Sequence, residues 1–388
     1  MTNMNIYDYY QIDELFSEDE ILVRDTVHSF VDDKVMPIIE QHFSKGTFPI
    51  ELIPEIGSLG LLGITIPSEY GGAGANYTCY GVAMQELERG DSGIRSFASV
   101  QNSLVMYPIY SYASEQIKKK WLPKLASGEA VGCFGLTEPD YGSNPGGMLT
   151  NAIETESGYL LNGAKMWITN GSIADVAVVW AKLDGIVRGF IVEKGRKGFS
   201  APEMRGKHSL RASITSELIF QDVEIPKENI LDVKGLRGPL SCLDQARYGI
   251  AWGAIGSALA VFESSVNYAK TRIQFNQPIG GHQIIQEKLV WMATEITKAQ
   301  LLAKRLGRLK DENRANAQQI SMAKRNNVDI ALQSARLARE IHGANGILNE
   351  YPIMRHMANL ESVKTYEGTH DIHTLIIGQS ITGIAAFS

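Results

Sequence analysis

Apolar positions in the first third of the chain return every three or four residues, which predicts helices across residues 17–62. Ser17 followed three positions later by Glu20 supplies a possible capping box at their start. The segment IPSEYGGAGANY then reads as a loop. A second helical block follows over residues 80–125, interrupted at residues 90–93 and at Pro108. Between about residues 130 and 235 the texture changes to short apolar or alternating runs such as VAVVWAK, GFIVEK and SELIFQDVEI, spaced by Gly, Asn, Asp and Pro. These are strand signals. Long helical windows return over residues 240–381, broken at Pro278, at DENRAN and at residues 343–352.

Helices, then strands, then helices do not make an alternating α/β sheet, so a Rossmann dinucleotide fold is disfavoured. No GxGxxG stands between a strand and a helix either. A chain of 388 residues exceeds one ordinary domain. The changes in texture divide it into residues 1–130, 131–236 and 237–388.

Composition excludes several classes. With 44% hydrophobic and 21% charged residues the chain is globular in type, and no apolar run is expected to reach the roughly 20 residues a membrane helix needs. A net charge of −6 argues against general nucleic-acid affinity, which depends on neutralising phosphates. The acidic, polar start MTNMNIYDYYQIDELFSEDE lacks a basic and apolar leader, so a cytoplasmic protein is expected. Cys79, Cys133 and Cys242 lie far apart without CxxC spacing and are expected to be reduced and buried. There is no HExxH, and His370 and His373 lack a third ligand nearby, so no metal site is expected.

Three segments carry candidate chemistry: GLTEPDYGS at residues 135–143, EIHGANG at 340–346 with Arg355 and Asn359 beyond it, and YEGT at 366–369. Gly135 and Gly142 let backbone approach a ligand, and Thr137 and Ser143 offer hydroxyls beside main-chain N–H groups. In isolation the first segment reads more readily as a plain Gly-rich turn bounding a strand. Together and in this order, the three resemble the acyl-CoA dehydrogenase family over essentially the whole chain. Asn144 stands where the family loop usually has Asp, and Ala344 where Gly or Ser is usual.

The resemblance implies an α+β fold: an N-terminal helical domain, a middle β-barrel-like domain and a C-terminal four-helix bundle. It implies FAD, with Phe134, Leu136, Thr137, Gly142 and Ser143 in the flavin loop and Ser143 also near substrate. Trp167, Ile168 and Thr169 in KMWITN match the strand packed against the flavin ring. Arg272, Phe275 and Gln283 resemble residues that reach the FAD of a neighbouring subunit, which implies an oligomer, by the family's habit a homotetramer. Glu340, Gly343, Ala344, Thr369 and Phe387 complete the implied cofactor contacts.

By the same resemblance Glu367 is the base that removes the proton next to the thioester. Its own N–H, with a flavin ribityl hydroxyl, is the implied oxyanion site. Some relatives carry the base in the segment corresponding to DQARYGIAW, where this chain has Ala246. A base needs a carboxylate over the α-carbon and donors at the thioester oxygen.

The run ELERGDSGIRSFAS at residues 86–99 resembles the glutaryl-CoA dehydrogenase version of the acyl pocket. A buried guanidinium is costly unless paired, and a dicarboxylic acyl-CoA would supply the partner for Arg95. Glu88, Ser96, Ser99, Arg247, Tyr366 and Gly368 join it as implied substrate contacts. Alternatively, Glu86, Glu88, Arg89, Asp91 and Arg95 form a solvated ion-pair face, and Arg247 is a structural partner of a buried carboxylate. The implied reaction is oxidation and decarboxylation of glutaryl-CoA to crotonyl-CoA and CO2, a step of lysine and tryptophan degradation, with electron-transfer flavoprotein as acceptor. A short-chain monocarboxylic acyl-CoA dehydrogenase and a non-catalytic acyl-CoA-binding protein are the rivals.

Overall fold

The computed structural model describes residues 5–386. Helices come first: α1 (Glu18–Phe30), α2 (Met36–Lys45), α3 (Ile53–Ser58), α4 (Tyr77–Gly90), α5 (Ser92–Ser99), α6 (Tyr107–Tyr112) and α7 (Glu115–Ser127). Ser17 caps α1 in a full capping box with Glu20, as its spacing predicts. Asp91 separates α4 from α5 and caps the latter through Gly93 N–H. A wide π-helical stretch, Val100–Met106, continues α5 toward α6.

The middle of the chain is a seven-stranded sheet built from β1 (Gly132–Gly135), β2 (Asn151–Glu154), β3 (Gly158–Thr169), β4 (Val176–Leu183), β5 (Ile186–Glu193), β6 (Phe199–Ser200) and β7 (Thr215–Pro226). The order is β1-β4-β2-β3-β7-β6, with β5 paired to the other edge of β4's register. Parallel pairs β1–β4 and β2–β4 sit among antiparallel ones. In β4, Val176, Val178 and Trp180 face the helices while Ala177, Val179 and Ala181 face the sheet's own core. Burial on both faces explains its unbroken apolar sequence.

Then follow α8 (Arg237–Thr271), a short ribbon of β8 (Ile273–Gln274) and β9 (Gln277–Pro278), α9 (Gln283–Asp311), α10 (Ala317–Ile341), α11 (Ile353–Thr365) and α12 (His370–Thr382). The acyl-CoA-dehydrogenase-like arrangement of helical ends around a central sheet is therefore present. The helical ends share one apolar core, in which Tyr80, Ala83 and Leu87 of α4 meet Tyr248, Trp252 and Ile255 of α8 and Ala331 and Leu332 of α10.

One expectation needs correction. By length and composition α8 could cross a membrane, its best window having a mean hydropathy of 1.3. It is nevertheless the central helix of the protein, with 83% of that window buried inside. Small residues hide its length in the sequence: Gly249, Gly253 and Gly256 let α4 approach so closely that a Cβ at Gly256 would lie 1.8 Å from the Gln85 carbonyl oxygen. The three cysteines are free and buried.

Candidate active site

The chain between α11 and α12 is the centre of the site. Tyr366 ends α11, and Thr369 caps α12 by accepting the Ile372 N–H at 3.1 Å. Between them Glu367 has φ +53° and Gly368 φ +90°. A non-glycine residue there costs roughly 1–2 kcal/mol and persists only when its surroundings hold it. Buried cations do so here. Lys324 of α10 donates to the carbonyls of Tyr366 (2.9 Å) and Gly368 (2.7 Å), and Arg247 of α8 donates from Nε to that of Glu367 (2.8 Å). Arg247 also lies 3.5 Å from Asp244. The structural reading of Arg247 thus has a carboxylate partner, though a partly exposed one.

The Glu367 side chain is enclosed by protein, while the residue as a whole is half-buried. Its Oε2 is buried without a hydrogen-bond partner. Burial pushes its pKa up, against the pull of Arg95, Lys324 and Arg247. Among the described residues the Glu367 N–H has no protein acceptor either. Ala246, fully buried one position before Arg247, confirms that α8 brings no carboxylate at that place.

Arg95 is fully buried and near enough to Glu367 to pull on its carboxyl. Its Nε lies 2.5 Å from Glu88 Oε2, and its Nη2 donates to the Tyr366 hydroxyl. Its Nη1 is buried with no partner. Ser92 holds the other oxygen of Glu88 at 2.9 Å. The solvated ion-pair face is thereby overturned: Glu86, Glu88, Arg89, Asp91 and Arg95 are all buried, because α4 and α5 lie in the middle of the fold. Ser96 is buried beside Arg95, while the Ser99 hydroxyl is engaged by Tyr80 at 3.1 Å.

The Gly-rich loop meets this centre through an apolar cluster that joins Phe134 and Leu136 at the end of β1 to Val100 and Leu104 of the π stretch and to Ala246 of α8. The Met166 N–H donates to the Thr137 carbonyl at 2.9 Å, tying the loop to β3. A register shift in β3 between Lys165 and Ile168 puts Trp167 at φ +64°, turned outward and 58% exposed, with Ile168 buried behind it and Thr169 half-buried. Gly142 and Ser143 are exposed, with open space at the Gly142 Cβ position. Apolar Phe134 and Leu136, hydroxyls on Thr137, Ser143 and Thr169, and an uncovered Trp167 fit a flat aromatic cofactor carrying polar substituents.

Six implied cofactor residues do not join this centre. Arg272, Phe275 and Gln283 are exposed at the far end of α8, and Arg272 stands about 38 Å along the axis from Arg247 at 1.5 Å per residue. Glu340, Gly343 and Ala344 share that end, where Glu340 pairs with Lys288 at 2.5 Å and His342 stacks on Tyr268. They cannot contact a flavin beside Glu367 of their own chain. Phe387 lies outside the described residues.

Sequence reasoning passed over Lys324. Its signal was a lysine in register with Ile320, Asn327, Val328 and Ala331 on the buried face of α10.

Models of the acyl-CoA dehydrogenase N-terminal, middle and C-terminal domains match residues 17–129, 133–223 and 233–382. The chain belongs to the acyl-CoA dehydrogenase family. An acyl-CoA dehydrogenase of Bacillus subtilis is 36% identical over 375 residues, 95% of this chain and 99% of that protein. The human mitochondrial short-chain specific acyl-CoA dehydrogenase is 35% identical over 379 residues, 96% and 92% of the two chains. A glutaryl-CoA dehydrogenase from Mycobacterium smegmatis, solved with FADH2, superimposes with a TM-score of 0.97 at 49% identity over 99% of both chains. FAD is the cofactor of this family, and the residues around Phe134, Thr137 and Trp167 suit it.

Proposed function

We propose that this acyl-CoA dehydrogenase acts on glutaryl-CoA and converts it to crotonyl-CoA and CO2. The observation that carries the reading is the unpartnered Nη1 of fully buried Arg95, whose charge acts on the proposed base, Glu367, itself with a free buried oxygen. A simple fatty chain would leave that donor unsatisfied at a cost of about 1–3 kcal/mol, whereas a distal carboxylate satisfies it. The 49% identity to a glutaryl-CoA dehydrogenase supports the same choice.

In this reading Arg95 orients the substrate by its far carboxylate, with Glu88 and Tyr366 fixing the guanidinium. Ser96 and Ser99 line the acyl end, Ser143 and Gly368 lie along the thioester, and Arg247 secures the loop that carries the base. Glu367 removes the α-proton while its N–H receives the charge that develops on the thioester oxygen. FAD, when bound, supplies the acceptor for the β-hydride at its N5. The resulting double bond, conjugated with the thioester, lets the distal carboxylate leave as CO2, its bonding electrons remaining in a delocalised dienolate. Glu367 then returns its proton to the far carbon, which gives crotonyl-CoA.

The exposed Arg272, Phe275 and Gln283, with Glu340, Gly343 and Ala344, serve the cofactor of a neighbouring chain in a homotetramer. Electron-transfer flavoprotein is the proposed acceptor. A second reading has one specific support: Glu88 already pairs with Arg95, so the guanidinium can be structural in a short-chain enzyme like the human relative.

Anaerobic mixing of the flavin-loaded protein with glutaryl-CoA and, separately, butyryl-CoA decides between them. Rapid flavin bleaching with crotonyl-CoA and CO2 as products is expected from glutaryl-CoA. Bleaching by butyryl-CoA alone would overturn the proposal.

A further inference from the structure

Lys324 is 1% exposed, and both of its hydrogen bonds end on main-chain carbonyls, not on a carboxylate. Burying an ammonium without a contacting counter-ion is expensive, and a loop could be held by neutral donors. The charge therefore calls for a reason beyond tethering.

Geometry supplies one. The carbonyls of Tyr366, Glu367 and Gly368 all accept from buried cations, the first and third from Lys324 and the second from Arg247. In a trans peptide the C=O and N–H point in opposite directions. With the Tyr366 carbonyl fixed on Lys324, the N–H of the same peptide unit, that of Glu367, is turned away from α10. It has no protein acceptor among the described residues. A cation on a carbonyl oxygen also draws electron density through the amide and strengthens its N–H as a donor, as in polarised hydrogen-bond chains.

We propose that Lys324 is a positioning residue for proton abstraction: through the Tyr366 carbonyl it orients and polarises the peptide whose N–H receives the thioester oxyanion. This rests on the reading of Glu367 as base given above, but holds for any acyl-CoA the site takes. The groups facing Lys324 are Glu367 from the catalytic loop, Arg247 from α8, Arg95 from α5 and His373 from α12. Burial pushes the lysine down to about 7, with Arg247 and Arg95 adding to the effect and Glu367 opposing it. Its two carbonyl contacts are what fix the peptide between Tyr366 and Glu367. His373 is held neutral, pushed down to about 3 by burial and by Lys324 and Arg247, and its Nδ1 lies 3.0 Å from the Ser321 hydroxyl. It supplies no competing positive charge.

The test uses 3-thiabutyryl-CoA, in which sulfur replaces the β-carbon, so the α-proton can leave but no hydride can follow. Its bound anion gives a long-wavelength band with oxidised flavin, and the band's pH midpoint reads the acidity of the bound ligand. In flavin-loaded Lys324→Met and Lys324→Gln the midpoint is expected to rise by about one pH unit, tenfold less anion at a given acid pH. Turnover should fall roughly tenfold to a hundredfold in kcat with KM changing less than about threefold, as for an interaction strongest in the transition state. A flavin-loaded variant with the wild-type midpoint overturns the proposal. So does loss of fold or flavin in both variants, which makes Lys324 purely structural. In Glu367→Gln the band should be absent; its persistence there would overturn the base assignment instead and leave Lys324 to be judged by its own midpoint.

Discussion

Gly253 lies against the ion pair of the acyl pocket so closely that a Cβ there would stand 2.1 Å from Glu88 Oε2 and 3.1 Å from Arg95 Nε. Neither neighbour can yield, since Glu88 is fixed by Arg95 and Ser92 and all three are buried. The glycine on α8 thus exists for the pair on α4 and α5. Gly253→Ala is expected to lose about 1–3 kcal/mol of stability by overpacking, and to lose glutaryl-CoA turnover as the guanidinium shifts. Thermal unfolding of the flavin-loaded protein together with steady-state kinetics checks both; an unaltered melting temperature would show that the helices can part there.

Arg95→Leu should separate substrates. Removal of the guanidinium leaves Glu88 buried without its cation, a loss of about 3–5 kcal/mol where the carboxylate stays ionised. Every substrate shares that structural cost. Glutaryl-CoA alone loses a partner for its far carboxylate, so its kcat/KM should drop at least about tenfold more than that of butyryl-CoA. Equal losses would identify Arg95 as a purely structural cation.

The periodicities locate what is set locally. The Ser17 capping box, the unbroken apolar run of β4 and the helix–strand–helix order follow from spacing alone, because each depends on neighbours within a few residues. Glu367 was legible through its YEGT setting. What escaped depends on contacts between distant segments. Nothing near residues 86–95 tells whether that run of charges is solvated or buried, since the answer lies in the glycines of α8 some 160 residues on. Lys324 was hidden for the same reason: its partners are carbonyls, which carry no side-chain signature. Arg272 and Phe275 show the converse: both are exposed, and nothing packed against them among the described residues of the chain accounts for them.

Flavin retention should depend on Lys165. This fully buried lysine reaches Glu138 at 2.8 Å and the Leu136 carbonyl at 3.1 Å, and Glu138 accepts the N–H groups of Leu149 and Thr150. The Gly-rich loop is thereby closed on itself from inside the sheet. Lys165→Met keeps the volume but leaves Glu138 without a cation. Because its two backbone donors remain, the expected cost is near the low end for a broken buried pair, roughly 3 kcal/mol. Purified Lys165→Met should carry less FAD per chain than wild type and regain it on addition of excess cofactor. Full occupancy after extensive dialysis would remove the lysine from the account of flavin binding.

Glu367→Gln tests the base by two independent readouts. Chemistry comes first: the variant should fold and hold FAD, yet lose turnover by roughly 10²–10⁴-fold, the usual contribution of a positioned base. The wild-type kcat/KM should fall as pH drops through the raised pKa of Glu367, so its acid limb lies above the ordinary carboxylate value of 4.5. Stability provides the second readout, with a sign opposite to that of most carboxylates. Glu20, beside Lys304 and Arg308, has its pKa held below 4.5 in the fold, so it contributes stability above that value that is lost as pH falls. Glu367 is raised instead: the folded protein binds its proton more tightly than the unfolded chain does. Its contribution is favourable below pH 4.5 and disappears as pH rises through the folded value, leaving a buried charge that opposes folding at neutral pH. Glu367→Gln removes that charge. It should therefore unfold at a higher temperature than wild type near pH 8, with the difference shrinking toward pH 5. A variant less stable than wild type at pH 8 would mean that the ionised carboxylate is satisfied in the resting protein, and that the free Oε2 is not poised to take a proton.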